Sequence, residues 1–180
     1  ACLVGSEMCI RDSVTRVRER RSNLGLTVSA TTRAPRKGEV DGVNYFFLTR
    51  EEFDRRVANG EFVEWAEVHG NCYGTLVSEV QSKLASGSSL ILEIDVQGAL
   101  QVKERFPEAV LIFIKPPSLE VLRERLVGRG TETPETIELR MANAADELAL
   151  ADRYDDVVVN DDLDRATDEL VRVLDMHERI

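Results

Sequence analysis

Short apolar runs alternate with helical patterns along most of the chain. Residues 90–96, 110–114 and 156–159 are apolar runs of strand length, and helical patterns lie between them. Such runs are typical of parallel strands, which are buried on both faces by the helices that connect them. The pattern therefore predicts an α/β fold with a parallel sheet.

Shorter elements are predicted before the first of these runs. Basic residues 14–21 are expected to end a helix, and residues 24–30 alternate enough to form a strand. A glycine-containing turn at 37–42 precedes the aromatic residues of 45–48, and together they predict a hairpin. Apolar and acidic side chains alternate from Glu61 onwards, so we expect a strand that ends within residues 69–75.

Helices are expected where a capping residue precedes apolar residues at helical spacing. Thr49, Ser118 and Thr133 stand in capping positions, and Pro134 suits the first turn of a helix. The remaining predicted helices cover residues 77–85, the residues before Phe106, and residues 163–176.

Residues 1–13 differ from the rest of the chain. They show no clean helical or strand period, and their composition does not match the segment that follows. They do not resemble a signal peptide, because Glu7, Arg11 and Asp12 interrupt any apolar core. We interpret them as a foreign or artefactual segment.

Composition and charge narrow the functional classes. A length of 180 residues allows a single domain with a sizeable core. The formal charge of −10 argues against a general nucleic-acid binder, and no apolar stretch has the length of a membrane span. Cys2, Cys9 and Cys72 form neither a CxxC pair nor a zinc-site spacing, so we expect a reducing, cytoplasmic setting.

Residues 29–36 (SATTRAPR) join small hydroxyl side chains to two arginines. A guanidinium group can hold two phosphate oxygens at once, and Pro35 disfavours a helix at Ala34, so that Arg33 and Arg36 can converge. The segment predicts a phosphate clamp. The alternative is a pair of solvated surface arginines.

Four further polar residues match the edge of one purine. Guanine donates from N1–H and its 2-amino group and accepts at O6, whereas adenine presents the reverse pattern. The carboxylates of Glu64 and Asp95 could accept from those donors, and the hydroxyls of Ser29 and Thr75 could donate to O6. The alternatives are an exposed strand position for Glu64 and a helix N-cap for Asp95.

A second group of arginines surrounds a glycine-flanked break. Arg123, Arg125 and Arg129 precede the break or lie in it, and Arg140 follows in the next predicted helix. Arginines that close over a transferring phosphoryl group stabilise the charge of the transition state. We therefore predict a mobile lid that uses Arg125, Arg129 and Arg140, and we assign Arg123 to surface ion pairs.

From residue 14 to its end, the chain resembles the guanylate kinases. The motifs that carry the resemblance are SATTRAPRKGEVDGVNYFF, GEFVEWAEVHGNCYGT, LEIDVQGA, RLVGRGTETPE and VVVNDDLD. The resemblance implies a single domain with a three-layer P-loop kinase fold and a parallel sheet. It also implies an inserted GMP-binding lobe at residues 29–84, an arginine lid at residues 118–150, and phosphate transfer from ATP to GMP.

The resemblance also implies roles for individual residues. Magnesium would accompany ATP, and Glu93 would lie near it. The GMP phosphate would be held by Arg33, Arg36, Tyr45 and Tyr73, and guanine would be read by Ser29, Glu64, Thr75 and Asp95. Arg125, Arg129 and Arg140 would act on the ATP phosphates and the transferred group, and Asn160 would lie near adenine.

The chain departs from the family at one point. Guanylate kinases begin with a strand and a GxxGxGK[ST] loop whose backbone N–H groups and lysine hold the ATP phosphates. No GK[ST] sequence occurs anywhere in this chain. We therefore expect impaired use of ATP, and we expect the loss of the first strand to leave its neighbours in the sheet unpaired.

Two other functions remain open. A non-catalytic guanylate-kinase-like interaction module would use the nucleotide pocket as a peptide-binding surface, but it would have no use for lid arginines. A kinase for another monophosphate is disfavoured by Glu64 together with Asp95. The sequence indicates no nucleic-acid or membrane partner, and it does not determine the oligomeric state.

Overall fold

The computed structural model describes residues 1–5, 7–68, 70–128 and 133–178. The chain divides into two compact units. The first unit comprises residues 1–2 and 22–109, and the second comprises residues 3–21 and 110–180. The residues predicted to bind GMP all lie in the first unit, and Arg125, Arg140 and Asn160, which are predicted to act on ATP, lie in the second.

Strands and helices alternate along the described residues. In chain order they are β1 (Cys2–Gly5), α1 (Glu7–Arg20), β2 (Leu24–Leu26), β3 (Ala30–Thr31), β4 (Phe46–Phe47), α2 (Arg50–Ala58), β5 (Phe62–Val68), β6 (Asn71–Leu76), α3 (Val77–Leu84), β7 (Ser89–Glu93), α4 (Val96–Arg105), β8 (Leu111–Lys115), α5 (Leu119–Gly128), α6 (Pro134–Leu148), β9 (Asp156–Val159) and α7 (Leu163–Glu178). None of the described helices has the length and apolar character that a membrane span requires.

Parallel strand pairing occurs in both units. In the first unit, β2 runs parallel to β7, with Leu24 opposite Ser89. In the second unit, β8 runs parallel to β9, with Ile112 opposite Asp156. These pairs confirm the α/β fold with a parallel sheet that the apolar runs predict.

The N-terminal residues form regular structure, contrary to the sequence expectation. The N-terminal amino group of Ala1 donates to the carbonyl of Leu90 at 2.8 Å, and Leu92 N–H donates to the Ala1 carbonyl at 3.0 Å. The N-terminal residue therefore pairs with β7, where the sequence predicts unpaired backbone groups. Periodicity failed here because a four-residue strand is too short to show a period. The foreign origin of residues 1–13 stays a prediction.

A second sheet in the first unit has the strand order β4-β3-β6-β5. The predicted hairpin is wrong, because β4 pairs parallel to β3, with Ala30 opposite Phe46. Residues 32–45 are long enough to carry the chain back to the start of the neighbouring strand. Gly42 N–H donates to the Tyr45 carbonyl and Asp41 accepts from Phe47 N–H, so this return loop closes on itself.

Two other strand boundaries differ from the prediction. Residues 24–30 do not form one strand, because β2 and β3 belong to different sheets. Residues 71–76 form β6 antiparallel to β5 rather than the end of a strand. Gly74 resembles a turn residue in the sequence, but a Cβ there would lie 2.8 Å from the Glu64 carbonyl oxygen. Glycine therefore permits the close pairing of β5 with β6.

Aromatic packing anchors this sheet. Phe53 of α2 is fully buried and stacks on Phe62 with 4.4 Å between ring centroids. Ala30, Cys72 and Leu76 complete the buried cluster. The predicted cap holds α2 in place, because Thr49 accepts a hydrogen bond from Glu52 N–H at 3.1 Å.

In the second unit, α5 and α6 pack through a small apolar cluster of Leu122, Leu126, Ile137 and Ala144. Both predicted caps are present, since Ser118 accepts from Val121 N–H and Thr133 accepts from Thr136 N–H. The helices α1 and α7 are joined by ion pairs between Arg16 and Asp164 and between Arg20 and Asp168.

Candidate functional site

The carboxylate of Glu64 is buried in the first unit. Glu64 lies on β5, where a β-bulge shifts the register with β6 between Phe62 and Glu64. A bulge bends a strand and redirects the side chains beside it. Only 4% of Glu64 is exposed, whereas glutamate is rarely buried without a partner. The alternative of an exposed strand residue is therefore wrong.

Asp95 and Gly98 lie against this carboxylate. Asp95 is the N-cap of α4, and its Oδ1 accepts a hydrogen bond from Gly98 N–H at 2.8 Å. A Cβ on Gly98 would lie 2.3 Å from Glu64 Oε2 and 3.2 Å from Asp95 Oδ1. Glycine therefore leaves the space that the two carboxylates occupy. Asp95 is the helix N-cap that the sequence allowed, and it also stands beside Glu64.

Both carboxyl groups have raised pKa values. Burial raises the pKa of Glu64 from 4.5 to about 7, and the nearby charge of Asp95 adds to this, while Thr75 acts in the opposite direction. Burial also raises the pKa of Asp95, against the hydrogen bond from Gly98. A ligand that donates hydrogen bonds here would favour the ionised forms. Perturbed carboxyl groups of this kind mark candidate functional sites.

Thr75 supplies a buried polar atom next to Glu64. It is paired with Glu64 across the two strands and is fully buried. Its Oγ1 makes no hydrogen bond of normal geometry to any described residue, although it is close enough to lower the pKa of Glu64. An unsatisfied buried hydroxyl costs about 1–3 kcal/mol. Ser29, the other predicted hydroxyl, precedes β3, which is the strand next to β6.

The Arg33 guanidinium is held in a fixed position within the same unit. Its Nη2 donates to both carboxylate oxygens of Glu39, at 2.9 and 3.0 Å, and its Nη1 donates to the Ala34 carbonyl at 2.7 Å. The group lies over the rings of Tyr45 and Phe47, at 5.4 and 5.8 Å from their centroids. The Glu39 carboxylate raises the pKa of Arg33 further.

The other predicted phosphate residues lie around this arginine. Tyr45 and Tyr73 contact each other edge to face, with 6.2 Å between ring centroids. Arg36 is exposed, and its backbone N–H donates to Glu39 at 2.7 Å. The structure therefore brings Arg33, Tyr45 and Tyr73 together and ties the backbone of Arg36 to the same carboxylate.

The second unit joins two of the residues predicted for ATP. Arg125 on α5 donates from Nη2 to the Asn160 carbonyl at 3.0 Å, and its Nη1 lies 3.4 Å from Asn160 Oδ1. Asn160 is buried and donates to Ser13 Oγ at 3.1 Å. A side chain of the N-terminal segment thus supports this site half.

The remaining lid arginines differ in placement. Arg140 is half-buried on α6. Arg123 forms an ion pair with Glu138, which agrees with its assignment to surface ion pairs. Arg129 lies outside the described residues.

The described residues offer no protein cage for a metal ion. They contain no group of three or more His, Cys, Asp or Glu side chains that could hold one. Glu93 is half-buried at the end of β7. Mg²⁺ is usually held by one or two carboxylates together with substrate phosphates. A magnesium ion that accompanies ATP, as the resemblance implies, would therefore need no such group.

The junction between β1 and α1 is short. The strand ends at Gly5 and the helix begins at Glu7. A loop of the form GxxGxGK[ST] is several residues longer than this junction. Ser6, which separates the two elements, lies outside the described residues.

Sequence reasoning missed two residues of this site. One is Glu39, which follows Arg36 by three residues, and this spacing is the signal that could pair it with the arginines. Gly98 is the third residue after Asp95 and lies in the first turn of α4. Glycine is unfavourable within a helix, so its presence there is the signal that the helix approaches another group closely.

A solved structure defines the class of this fold. The crystal structure of guanylate kinase from Anaplasma phagocytophilum matches with a TM-score of 0.80 and 37% sequence identity, over 97% of this chain and 83% of that one. The fold is therefore that of the P-loop kinases.

Sequence relatives define the family. The guanylate kinase family model matches residues 1–177. The guanylate kinase of Gloeobacter violaceus is 54% identical over 95% of this chain and 82% of its own length. That of Halalkalibacterium halodurans is 53% identical over 88% of this chain and 78% of its own length. The chain belongs to the guanylate kinase family, as its motifs predict.

Glu64→Gln should stabilise the free protein at high pH. Because the pKa of Glu64 is raised from 4.5 to about 7, stability falls as the pH rises through this range, and an amide avoids that loss. We expect a gain of about 1–3 kcal/mol in the free energy of unfolding at pH 8, and almost none below pH 4.5. Urea unfolding at several pH values measures it.

The matched control is Glu67→Gln, an exposed position on the same strand. Its effect on stability should stay within about 0.5 kcal/mol. An equal gain for both variants would contradict the burial argument.

Proposed function

We propose that this chain binds GMP in its first unit and that ATP supplies the phosphoryl group, giving GDP and ADP. In this reaction an oxygen of the GMP phosphate bonds to the γ-phosphorus of ATP, and the bond from that phosphorus to its bridging oxygen breaks. Membership of the guanylate kinase family supports the proposal. The single observation that carries it is the buried acceptor Glu64, which has the half-buried Asp95 beside it and is paired with the buried Thr75.

Base selection follows from hydrogen-bond complementarity. An ionised Glu64 has only acceptor atoms, so it matches the N1–H and 2-amino donors of guanine. A hydroxyl such as that of Thr75 can donate to O6. Adenine would place an acceptor at N1 against the carboxylate and leave it unpaired, at a cost of several kcal/mol for a buried charge.

Phosphate binding is assigned to the arginine and tyrosine group of the first unit. Arg33 is oriented before any ligand arrives, because Glu39 and two aromatic rings hold its guanidinium. A group that is already oriented loses less conformational entropy on binding. Arg36, Tyr45 and Tyr73 would supply further donors to the same phosphate.

Arg125, Arg129 and Arg140 are proposed to stabilise the charge of the transferred group, with Asn160 beside the adenine of ATP. Transfer depends on positioning and on neutralising the phosphate charge. Mg²⁺ bound with ATP would supply part of that neutralisation. The hydrogen bonds between Arg125 and Asn160 support a shared role for these two residues.

The rival proposal is a non-catalytic interaction module. Such a module would gain nothing from a buried Glu64 beside a half-buried Asp95, because burying a carboxylate costs stability in the absence of a ligand. That cost favours a nucleotide site. The rival would be preferred if the chain bound no nucleotide at all.

Glu64→Gln should weaken GMP binding by about 1–3 kcal/mol, because an amide cannot accept both guanine donors. The affinity of the unaltered chain should also fall as the pH drops below about 7, where Glu64 becomes protonated. The variant should lack this part of the pH dependence. Calorimetric titration from pH 5.5 to 8 measures both, and an unchanged affinity would remove Glu64 from the site.

Arg33→Lys should weaken GMP binding about tenfold although the charge is kept, because lysine can neither form the two-pronged contact nor stack on the rings in the same way. The matched control is Arg55→Lys on α2, an exposed arginine paired with Glu52. Titration of both variants with GMP compares them. Equal affinities would argue against a forked contact.

GMP binding and catalytic turnover should separate in this chain. The chain has no GK[ST] sequence to hold the β- and γ-phosphates, so we expect measurable GMP binding without ATP-dependent formation of GDP. Replacement of residues 1–13 by a strand and a GxxGxGK[ST] loop should restore turnover. The same graft with alanine in place of its lysine should fold but stay inactive. Robust GDP formation by the unaltered chain would falsify this prediction.

A further inference from the structure

Strand β5 is an edge strand, and side chains of α4 form hydrogen bonds with its unpaired edge. Edge strands present unpaired N–H and C=O groups, and β5 stands last in the order β4-β3-β6-β5. The Gln101 side chain of α4 fills this role at Trp65. Its Oε1 accepts from Trp65 N–H at 3.1 Å, and its Nε2 donates to the Trp65 carbonyl at 2.7 Å. One side-chain amide thus replaces a neighbouring strand at this residue.

Arg105 makes the second contact, one turn further along α4. Its Nη1 donates to the carbonyls of Phe62 and Val63, at 2.6 and 3.0 Å. Successive carbonyls of a regular strand point to opposite edges, so one guanidinium nitrogen could not reach both. The bulge between Phe62 and Glu64 turns them to the same side. Arg105 therefore holds the bulge itself.

The two contacts lie on either side of Glu64 along β5. Arg105 binds the backbone just before it, and Gln101 binds the backbone just after it. On α4, Gly98, Gln101 and Arg105 are spaced by three and four residues and therefore share one face. Gly98 is the residue whose missing Cβ leaves space for the Glu64 carboxylate. One face of α4 thus sets both the space for the carboxylate and the path of the strand that carries it.

We propose that Gln101 and Arg105 are positioning residues that fix Glu64 for recognition of the base by holding bulged β5 against α4. The inference rests on the proposed binding of GMP. Neither side chain needs to touch the nucleotide. A displacement of about 1 Å in a group far from the chemistry can cost about a hundredfold in rate. Hydrogen bonds that fix the backbone on both sides of Glu64 therefore affect how well its carboxylate meets the base.

The test compares GMP with inosine monophosphate, which lacks the 2-amino group and so loses one of the two proposed donors to Glu64. Gln101→Leu should lower the ratio of GMP affinity to inosine monophosphate affinity at least threefold. Gln81→Leu is the matched control, an exposed glutamine of α3, and should leave the ratio unchanged. In a Glu64→Gln background, Gln101→Leu should change the ratio no further, because both changes act through one carboxylate.

Gln101→Glu covers the case in which the leucine variant does not fold. The substitution is isosteric, but it places an acceptor against the Trp65 carbonyl, so the ratio should fall in the same direction. An equal loss of affinity for both nucleotides, or no loss, would show a structural role alone and overturn the inference. If the unaltered chain shows no preference for GMP over inosine monophosphate, the proposed base site itself fails. If that preference is present and both Gln101 variants keep it, only the positioning inference fails.

Discussion

The burial of one carboxylate constrains the first unit more than any other interaction. Glu64 is 4% exposed, its pKa is raised to about 7, and no arginine or lysine is bonded to it among the hydrogen bonds of the described residues. Removing a charge from water without a partner is costly, so the free protein gives up stability at this point. A ligand with two adjacent donors can recover that loss. In the proposed base site, this arrangement would couple the stability of the protein to the choice of base.

Several features of the surrounding fold are explained by this constraint. The bulge in β5 redirects the side chain, and glycine at position 98 leaves room for it. Glycine at position 74 lets β5 and β6 approach closely beside Thr75. Each feature would weaken an ordinary strand or helix, since glycine and bulges reduce regular pairing. They are tolerated because the aromatic cluster around Phe53 stabilises the same sheet.

The chemistry of the proposed reaction is divided between the units. The first contains the buried Glu64 and the Arg33 guanidinium held by Glu39, while the second contains Arg125 bonded to Asn160. Ser13, from the segment that the sequence sets apart, accepts a hydrogen bond from Asn160, the residue proposed to lie beside adenine. The chain nonetheless contains no GK[ST] sequence. We therefore expect the proposed ATP site to be less complete than the proposed GMP site.

The sequence by itself determined the elements that depend on local signals. The capped helices beginning after Thr49 and Thr133 follow from side chains that bond the first turn, and the buried parallel strands follow from apolar runs. It also determined the family, because the motifs from SATTRAPR to VVVNDDLD are specific to it. The choice of carboxylates and hydroxyls for a base edge stays a prediction.

Tertiary structure decided what depends on residues distant in the chain. Nothing local in residues 30–47 indicates that β4 runs parallel to β3, because the direction of pairing is fixed by where the long return loop ends. In the sequence, the glycines around Tyr73 indicate a turn. In the structure, Gly74 is instead the residue that permits the close pairing of β5 with β6. The same holds for Glu64. Its burial and its raised pKa require α4 to pack on β5, because desolvation is a property of the assembled fold. The hydrogen bonds from Gln101 to the edge of β5 also form only in that packing.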